Sequence, residues 1–477
     1  MKISEYNQDF NLKVLKDNLT AQEIQLADFG VEREGLRVTE EGGLALTKHP
    51  APFGNKLLNP LITTDFSESQ VEMITPIRHS VEDVYDVLEL LYDLTATSLA
   101  EDEYLWPQSM PSRIPGDDAI PIAIYEGEAN AESAMAYRQG LVKKYGAKKQ
   151  LISGIHYNFS FAEKNIETLF KASSRYPDYQ TYKNAVYLKL VRNYLRYKWL
   201  VIYLTGCSAG CHDSYIPYCV EQMAPVDDQG GRVLKKGVSF RNSHCGYKNT
   251  VPLYPDYRTV DHFVKDVQGY VDSGILSAPK ELYTQIRLKS KDAGDVLGSL
   301  SRDGIQYVEV RTLDLNIFDK CGIAKDDLNF MHALMLYLLV KEESDYGDWQ
   351  AEGVLNEEVT AVQALDPDLI LFRDGAPVSM KTWALAILTE MEGMNRELSL
   401  DFAPTLAEMK GRVTDPARTY GARMARLIEE KGFLKGQVPL EEHYKQDSIR
   451  HLAALKESGR WDGLSGFVDQ ALPGCRR

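Results

Sequence analysis

The clearest alternation of apolar and polar positions lies in "LISGIHYNFSF", residues 151–161. On an extended chain Ile155, Tyr157, Phe159 and Phe161 fall on one face, and His156, Asn158 and Ser160 on the other. The same period of two recurs in "YVEVRTLDL" at 307–315, where Val308 and Val310 share one face and Tyr307, Glu309 and Arg311 the other. A third segment, 31–38, places Glu32 and Glu34 on a face with Leu36 and Val38 and turns Arg33 away from it. All three patterns predict strands. Between them the period shifts to that of helices. Residues 80–99 carry Val84, Val87, Leu88, Leu91 and Leu94 at helical spacing, with Ser80 as N-cap and Asp83 three residues on. Further helices are predicted at 181–204, 325–342, 379–398 and 417–431, the first ending near Gly206, a residue suited to a left-handed cap. Helices and strands of unequal length follow one another in irregular order, with no internal repeat and no Gly/Ser/Pro linker. The pattern predicts an α+β sheet in a single catalytic domain spanning 1–477.

Composition narrows the function classes. The chain is 44% hydrophobic and 26% charged, enough to bury a sizeable core. Its 54 basic and 69 acidic residues leave a net charge of −15, which argues against a surface built for nucleic acid or anionic lipid. The start of the chain lacks a basic region followed by an apolar one, so no secretory signal is read. The longest apolar run, Phe330 to Val340, is interrupted by His332 and falls short of the roughly 18 residues that span a bilayer. A cytoplasmic protein with no membrane partner is expected. Six sparse cysteines make a disulfide framework improbable, and Cys207, Cys211 and His212 in "CSAGCH" lack the second ligand pair of a zinc site. They are read as packing residues.

The charged positions on strand-like segments form a set: Glu32, Glu34, Asp65, Glu72 and Glu309, with His156 as the one imidazole. Gathered on one sheet face, five carboxylates would raise one another's pKa values, and bridging divalent cations remove that conflict. Magnesium fits, because hard cations take oxygen ligands and keep room for substrate phosphates. Arg311, two residues from Glu309, is placed to offset charge on a transferring phosphoryl group. The alternative is that each acid faces water or a neighbouring arginine on an exposed strand, with His156 a hydrogen-bonded core residue. The chain has no G-x-x-x-x-G-K-[ST] loop and no G-x-G-x-x-G, which disfavours P-loop and Rossmann enzymes.

Five stretches, "GVEREGLRV", "ITTDFSESQVEMITP", "WPQSMP", "SGIHYNFSF" and "YVEVRTLDLN", together resemble glutamate–cysteine ligase of the bacterial type. They run in the family's order from residue 30 to 316, with a weaker likeness at "DPARTYGARM". The resemblance implies a fold like that of glutamine synthetase, a curved, mainly antiparallel sheet forming a funnel with helices outside. It implies ATP as co-substrate and two or three Mg2+ ions, with Mn2+ as the alternative. In the family the γ-carboxylate of glutamate attacks ATP, and the amine of cysteine captures the γ-glutamyl phosphate, the first step of glutathione biosynthesis. Carried across, Glu32, Glu34, Asp65, Glu72, His156 and Glu309 match the metal ligands. Arg311 matches the arginine beside the transferring phosphoryl group, and Arg241 one that holds a substrate anion. Tyr137, Tyr247 and Tyr283 match pocket tyrosines, and Gln150 and Asn158 polar substrate contacts. The stretch from Cys207 to Lys236 departs from the enterobacterial pattern, which leaves the acceptor amine open. No ATP-grasp glutathione synthetase domain is expected, and monomer and homodimer both fit.

Three readings compete with this one. One keeps the ligase chemistry and changes the amine acceptor. Another is a magnesium-dependent phosphohydrolase, because acids on a sheet can equally activate water. A binding module on an old ligase fold is the third and blandest.

Overall fold

The structure, a computed structural model, describes residues 2–475. Its centre is an antiparallel sheet of seven strands: β1 (Ala27–Thr39), β2 (Ile62–Thr64), β3 (Gln70–Ile74), β4 (Glu103–Leu105), β5 (Ile155–Phe161), β6 (Ile286–Lys289) and β7 (Tyr307–Leu313). The strand order is β2-β3-β1-β5-β7-β6, with β4 pairing the far end of β1. All three strands expected from alternation are present and lie side by side at its middle. A register shift in β7 between Val310 and Leu313 inserts an extra residue against β5. Such bulges re-aim a side chain, and here Arg311 follows the last regular pair.

Eight helices matter for the site. They are α1 (Val81–Ser98), α2 (Ala131–Tyr145), α3 (Tyr179–Thr205), α4 (Lys325–Val340), α5 (Trp349–Gln363), α6 (Met380–Glu397), α7 (Tyr420–Lys431) and α8 (Phe433–Glu457). α1 begins as the sequence predicts, with Ser80 accepting from the Asp83 amide. The apolar sheet face, from Phe29, Val31, Ile155, Tyr157, Phe159, Val308 and Val310, packs into one core with α3, α4 and α6. α3 is buried along most of its 27 residues, so its apolar positions are not confined to one stripe, and Lys189, Arg192, Asn193 and Lys198 are buried among them. Leu36 and Val38, on the same alternating face as Glu32 and Glu34, enter a second core with Trp106, Phe240 and Phe433. The face thus changes from polar to apolar along one strand.

One expectation is corrected, and one cysteine pair adds to the picture. Gly206, after α3, has φ −60° and ψ 127°, so it is no left-handed cap. It is needed for close approach instead, since a Cβ there would lie 2.5 Å from the Ile202 carbonyl. The sparse cysteines also do form one disulfide, Cys219 to Cys245, a single bridge rather than a framework. Cys207 and Cys211 are buried free thiols, and His212 bonds Ser214 and the Gln229 carbonyl, so this trio packs as expected. Among the described residues no helix is long and apolar enough to cross a membrane.

Candidate active site

The polar face of the central sheet floors a cavity of about 300 Å3. The sheet register brings the acids together. Glu32 on β1 stands opposite His156 on β5, Glu34 opposite Glu72 on β3, and Glu309 on β7 opposite Asn158. Asp65 arrives from the loop between β2 and β3, and all five carboxylates with His156 line the cavity. Their neighbours differ. His156 Nδ1 lies 3.0 Å from Glu32 Oε2, and its Nε2 lies 3.4 Å from Glu34 Oε1 without a hydrogen-bond partner. Glu34 also accepts from the Gly154 amide at 2.9 Å. Glu309 is gripped by Arg311 at 2.5 Å and by Lys289, with Arg287 at 3.9 Å.

These contacts set the protonation preferences. Burial pushes the Glu72 carboxyl well above the usual range, and the negative charges of Glu32, Asp65 and Glu34 push it further. Glu34 is raised too, mainly by burial, with His156 opposing. Glu309 moves the other way. Burial alone would raise it, but Arg311, Lys289 and Arg287 outweigh burial and hold it well below. Glu32 is likewise held low by its hydrogen bond to His156 in spite of burial.

The set fits a hard divalent cation. Oxygen and nitrogen atoms of Glu32, Glu72 and His156 lie within 4.8 Å of one another, the His156 Nε2 is an orphaned buried atom, and Glu72 carries the like-charge conflict that a cation relieves.

The opposite wall carries the substrate-type groups. The Tyr247 and Tyr283 rings lie tilted at 40° with centroids 4.2 Å apart, and the Tyr247 hydroxyl donates to that of Tyr283 at 2.8 Å. Tyr137 on α2 lines the same cavity under the Lys280 ammonium, 3.7 Å from the ring centroid. Gln150 points a buried, unpartnered Nε2 into it. Arg241 lines the cavity half-buried, and Gly154 makes room for it: a Cβ at 154 would lie 2.2 Å from Arg241 Nη2. Asn158 differs from expectation. Its Nδ2 donates to Glu32 Oε1 at 3.0 Å and it does not line the cavity, so it holds an acid in place.

The profile of the family described as glutamate-cysteine ligase matches residues 12–273 and 252–362. The chain belongs to the glutamate–cysteine ligase family. It is 37% identical over 439 residues to the glutathione biosynthesis bifunctional protein GshAB of Clostridium perfringens, covering 91% of this chain and 56% of that protein. Among solved structures, the glutamate–cysteine ligase of Francisella tularensis in complex with AMP superposes with TM-score 0.84 and 27% identity, covering 94% of this chain and 93% of that one. A bifunctional glutathione synthetase from Pasteurella multocida superposes with TM-score 0.81 at 30% identity, over 92% of this chain and 55% of that one. The chain spans about half the length of the curated relatives it matches.

Within this cavity, most of the cations were not legible in the sequence. Arg287 and Lys289 on β6, Arg138 on α2 and Lys280 all line the cavity. The signal was present but short: "IRLK" alternates Arg287 and Lys289 onto one face, over only four residues. Arg138, adjacent to Tyr137, donates to the Asp65 carbonyl at 2.7 Å and lies over the Tyr125 ring.

Proposed function

We propose that this chain catalyses ATP-dependent joining of the γ-carboxylate of L-glutamate to the amine of L-cysteine through γ-glutamyl phosphate. The products are γ-glutamylcysteine, ADP and phosphate. The observation that carries the reading is the convergence of five carboxylates, one imidazole and several cations around one cavity floored by the polar sheet face, beside a tyrosine slot. The relatives named for glutathione biosynthesis and the AMP complex of the Francisella structure support it. All of residues 1–477 are assigned to this one catalytic unit, with ATP as co-substrate.

Magnesium ions bound by Glu32, Glu34, Asp65, Glu72, His156 and Glu309 would supply the charge compensation that lets anionic glutamate meet an anionic triphosphate. The chain's own residues do the rest. Arg311, with burial opposed by Glu309 and Glu34, stays cationic and offers a planar fork to phosphoryl oxygens. Arg287 and Lys289 add positive charge on the same wall. Arg241, next to the Gly154 backbone, is placed to hold a carboxylate or the acyl phosphate. Tyr137, Tyr247 and Tyr283 form a small slot with hydroxyl handles, suited to a compact thiol side chain. Holding both reactants at this wall turns a bimolecular encounter into a positioned one. An ATP-using step favours a cytoplasmic setting, where thiol pools oppose the Cys219–Cys245 bridge.

The test is ADP release with glutamate and a panel of amines. Cysteine should stimulate release most. Absence of cysteine-stimulated turnover sinks the reading, a different best amine reassigns the acceptor, and amino-acid-independent phosphate release at a comparable rate favours the phosphohydrolase.

A further inference from the structure

Behind the tyrosine slot, outside the cavity, lies a buried charge cluster that the chemistry above does not use. Glu357 on α5 is only 2% exposed. It pairs with Lys198 of α3 and with Lys248 at 3.0 Å, and accepts from Gln285 Nε2 at 2.7 Å. The next residue, Glu358, reaches Lys248 at 3.3 Å, accepts from the His244 amide at 3.0 Å and bonds the His244 ring at 2.7 Å. Burial alone would raise the Glu357 carboxyl, but Lys198 and Lys248 outweigh it and hold it at about 2. Glu357 therefore carries its negative charge at neutral pH.

Its partners sit next to site residues. Lys248 follows Tyr247 in the chain. Gln285 lies two residues after Tyr283, and its carbonyl accepts from the Arg311 amide at 2.9 Å. One short stretch of α5 therefore grips both segments that carry the paired tyrosines, and through Gln285 touches the backbone of β7. A buried carboxylate is a poor way to add stability alone, since apolar replacements of such pairs are often neutral or better. What it adds here is fixed distance between three elements.

We propose that Glu357 is a positioning residue for the acceptor side of the cavity: through Lys248 and Gln285 it sets the spacing of Tyr247 and Tyr283 and so the fit of the amine substrate. The proposal rests on the ligase reading for its kinetic consequence but not for its structural one. Neither Glu357 nor Lys248 lines the cavity.

The decisive variant is Lys248→Met, which cuts the tether to Tyr247 while leaving Glu357 with Lys198 and Gln285. It should fold, raise the KM for the amine roughly 10-fold, and change the KM for ATP and glutamate less than about 2-fold. Lys248→Arg, which keeps the charge, should restore most of the amine KM. Hydrogen exchange should quicken at residues 243–249 in Lys248→Met and stay unchanged in β5 and β7. Glu357→Gln should show a larger effect that includes kcat. Should that variant fail to fold, Lys248→Met decides. An unchanged amine KM with unchanged exchange in folded Lys248→Met overturns the proposal, as does an equal loss toward all three substrates. If the parent enzyme shows no amine-stimulated turnover, the ligase reading fails instead, and the exchange arm still judges the tether: faster loop exchange supports it and unchanged exchange overturns it.

Discussion

Glu34 and Glu309 are both acids on the sheet floor, yet their surroundings push their ionisation in opposite directions. Glu34 is raised by burial beside other acids, and Glu309 is held low by three cations. Replacing either with glutamine keeps shape and removes charge. Glu34→Gln and Glu309→Gln should each lower turnover at least about 100-fold while circular dichroism stays unchanged. Full activity in both would remove these residues from the site. Arg311→Lys should cost roughly 10-fold or more in kcat, because lysine keeps the charge but loses the fork. Gly154 tests the wall behind them. Gly154→Ala should leave the fold intact, since the clash is with the mobile end of Arg241, yet lower kcat/KM roughly 100-fold by displacing that guanidinium.

At the scale of elements, the central strands were legible because each presents one buried and one polar face, so alternation survives in the sequence. β6 was not, because four residues give too little pattern to separate a strand from a loop. α5 and α8 also went unread. α8 carries Pro439 inside its span and mixes polar with apolar positions, which hides the helical period. It also buries Glu441, whose two oxygens lack partners and whose carboxyl burial pushes well above its ordinary value of 4.5. Between that value and the raised one, the folded state keeps a proton the unfolded state has lost, so stability falls as pH rises through the window. Glu441→Gln removes this titration. Its melting temperature relative to the parent should climb as pH rises above about 5, and a constant difference would refute the assignment.

The whole molecule is organised around α3, which packs against the sheet on one side and against α4 and α5 on others. Arg192, fully buried within it, makes a two-pronged pair with Glu343 at 2.7 and 2.8 Å and donates to the Tyr257 carbonyl at 2.9 Å. That pair locks α3 to the segment between α4 and α5 and to the approach to the helix at Val260–Asp272. Arg192→Met leaves the Glu343 carboxylate buried without a counter-charge and should cost about 3–5 kcal/mol in chemical denaturation. A shift below about 1 kcal/mol would show that water reaches the acid.

By itself the sequence determined the three central strands, five of the eight helices around the site and the identity of the acids, because periodicity and residue type are local properties that burial stamps on each segment. It also carried the family, through short stretches in a fixed order. Only the tertiary structure decided which charges meet. The register of β1 against β3 and β5 turns Glu32, Glu34, Glu72 and His156 from separate positions into one cluster, and a shift of one residue would scatter them to the other face. The Cys219–Cys245 bridge, the cations of β6 and the grip of Glu357 on two distant loops share that reason. Each joins residues far apart in the chain, and distance in space is set by packing rather than by any pattern a segment carries.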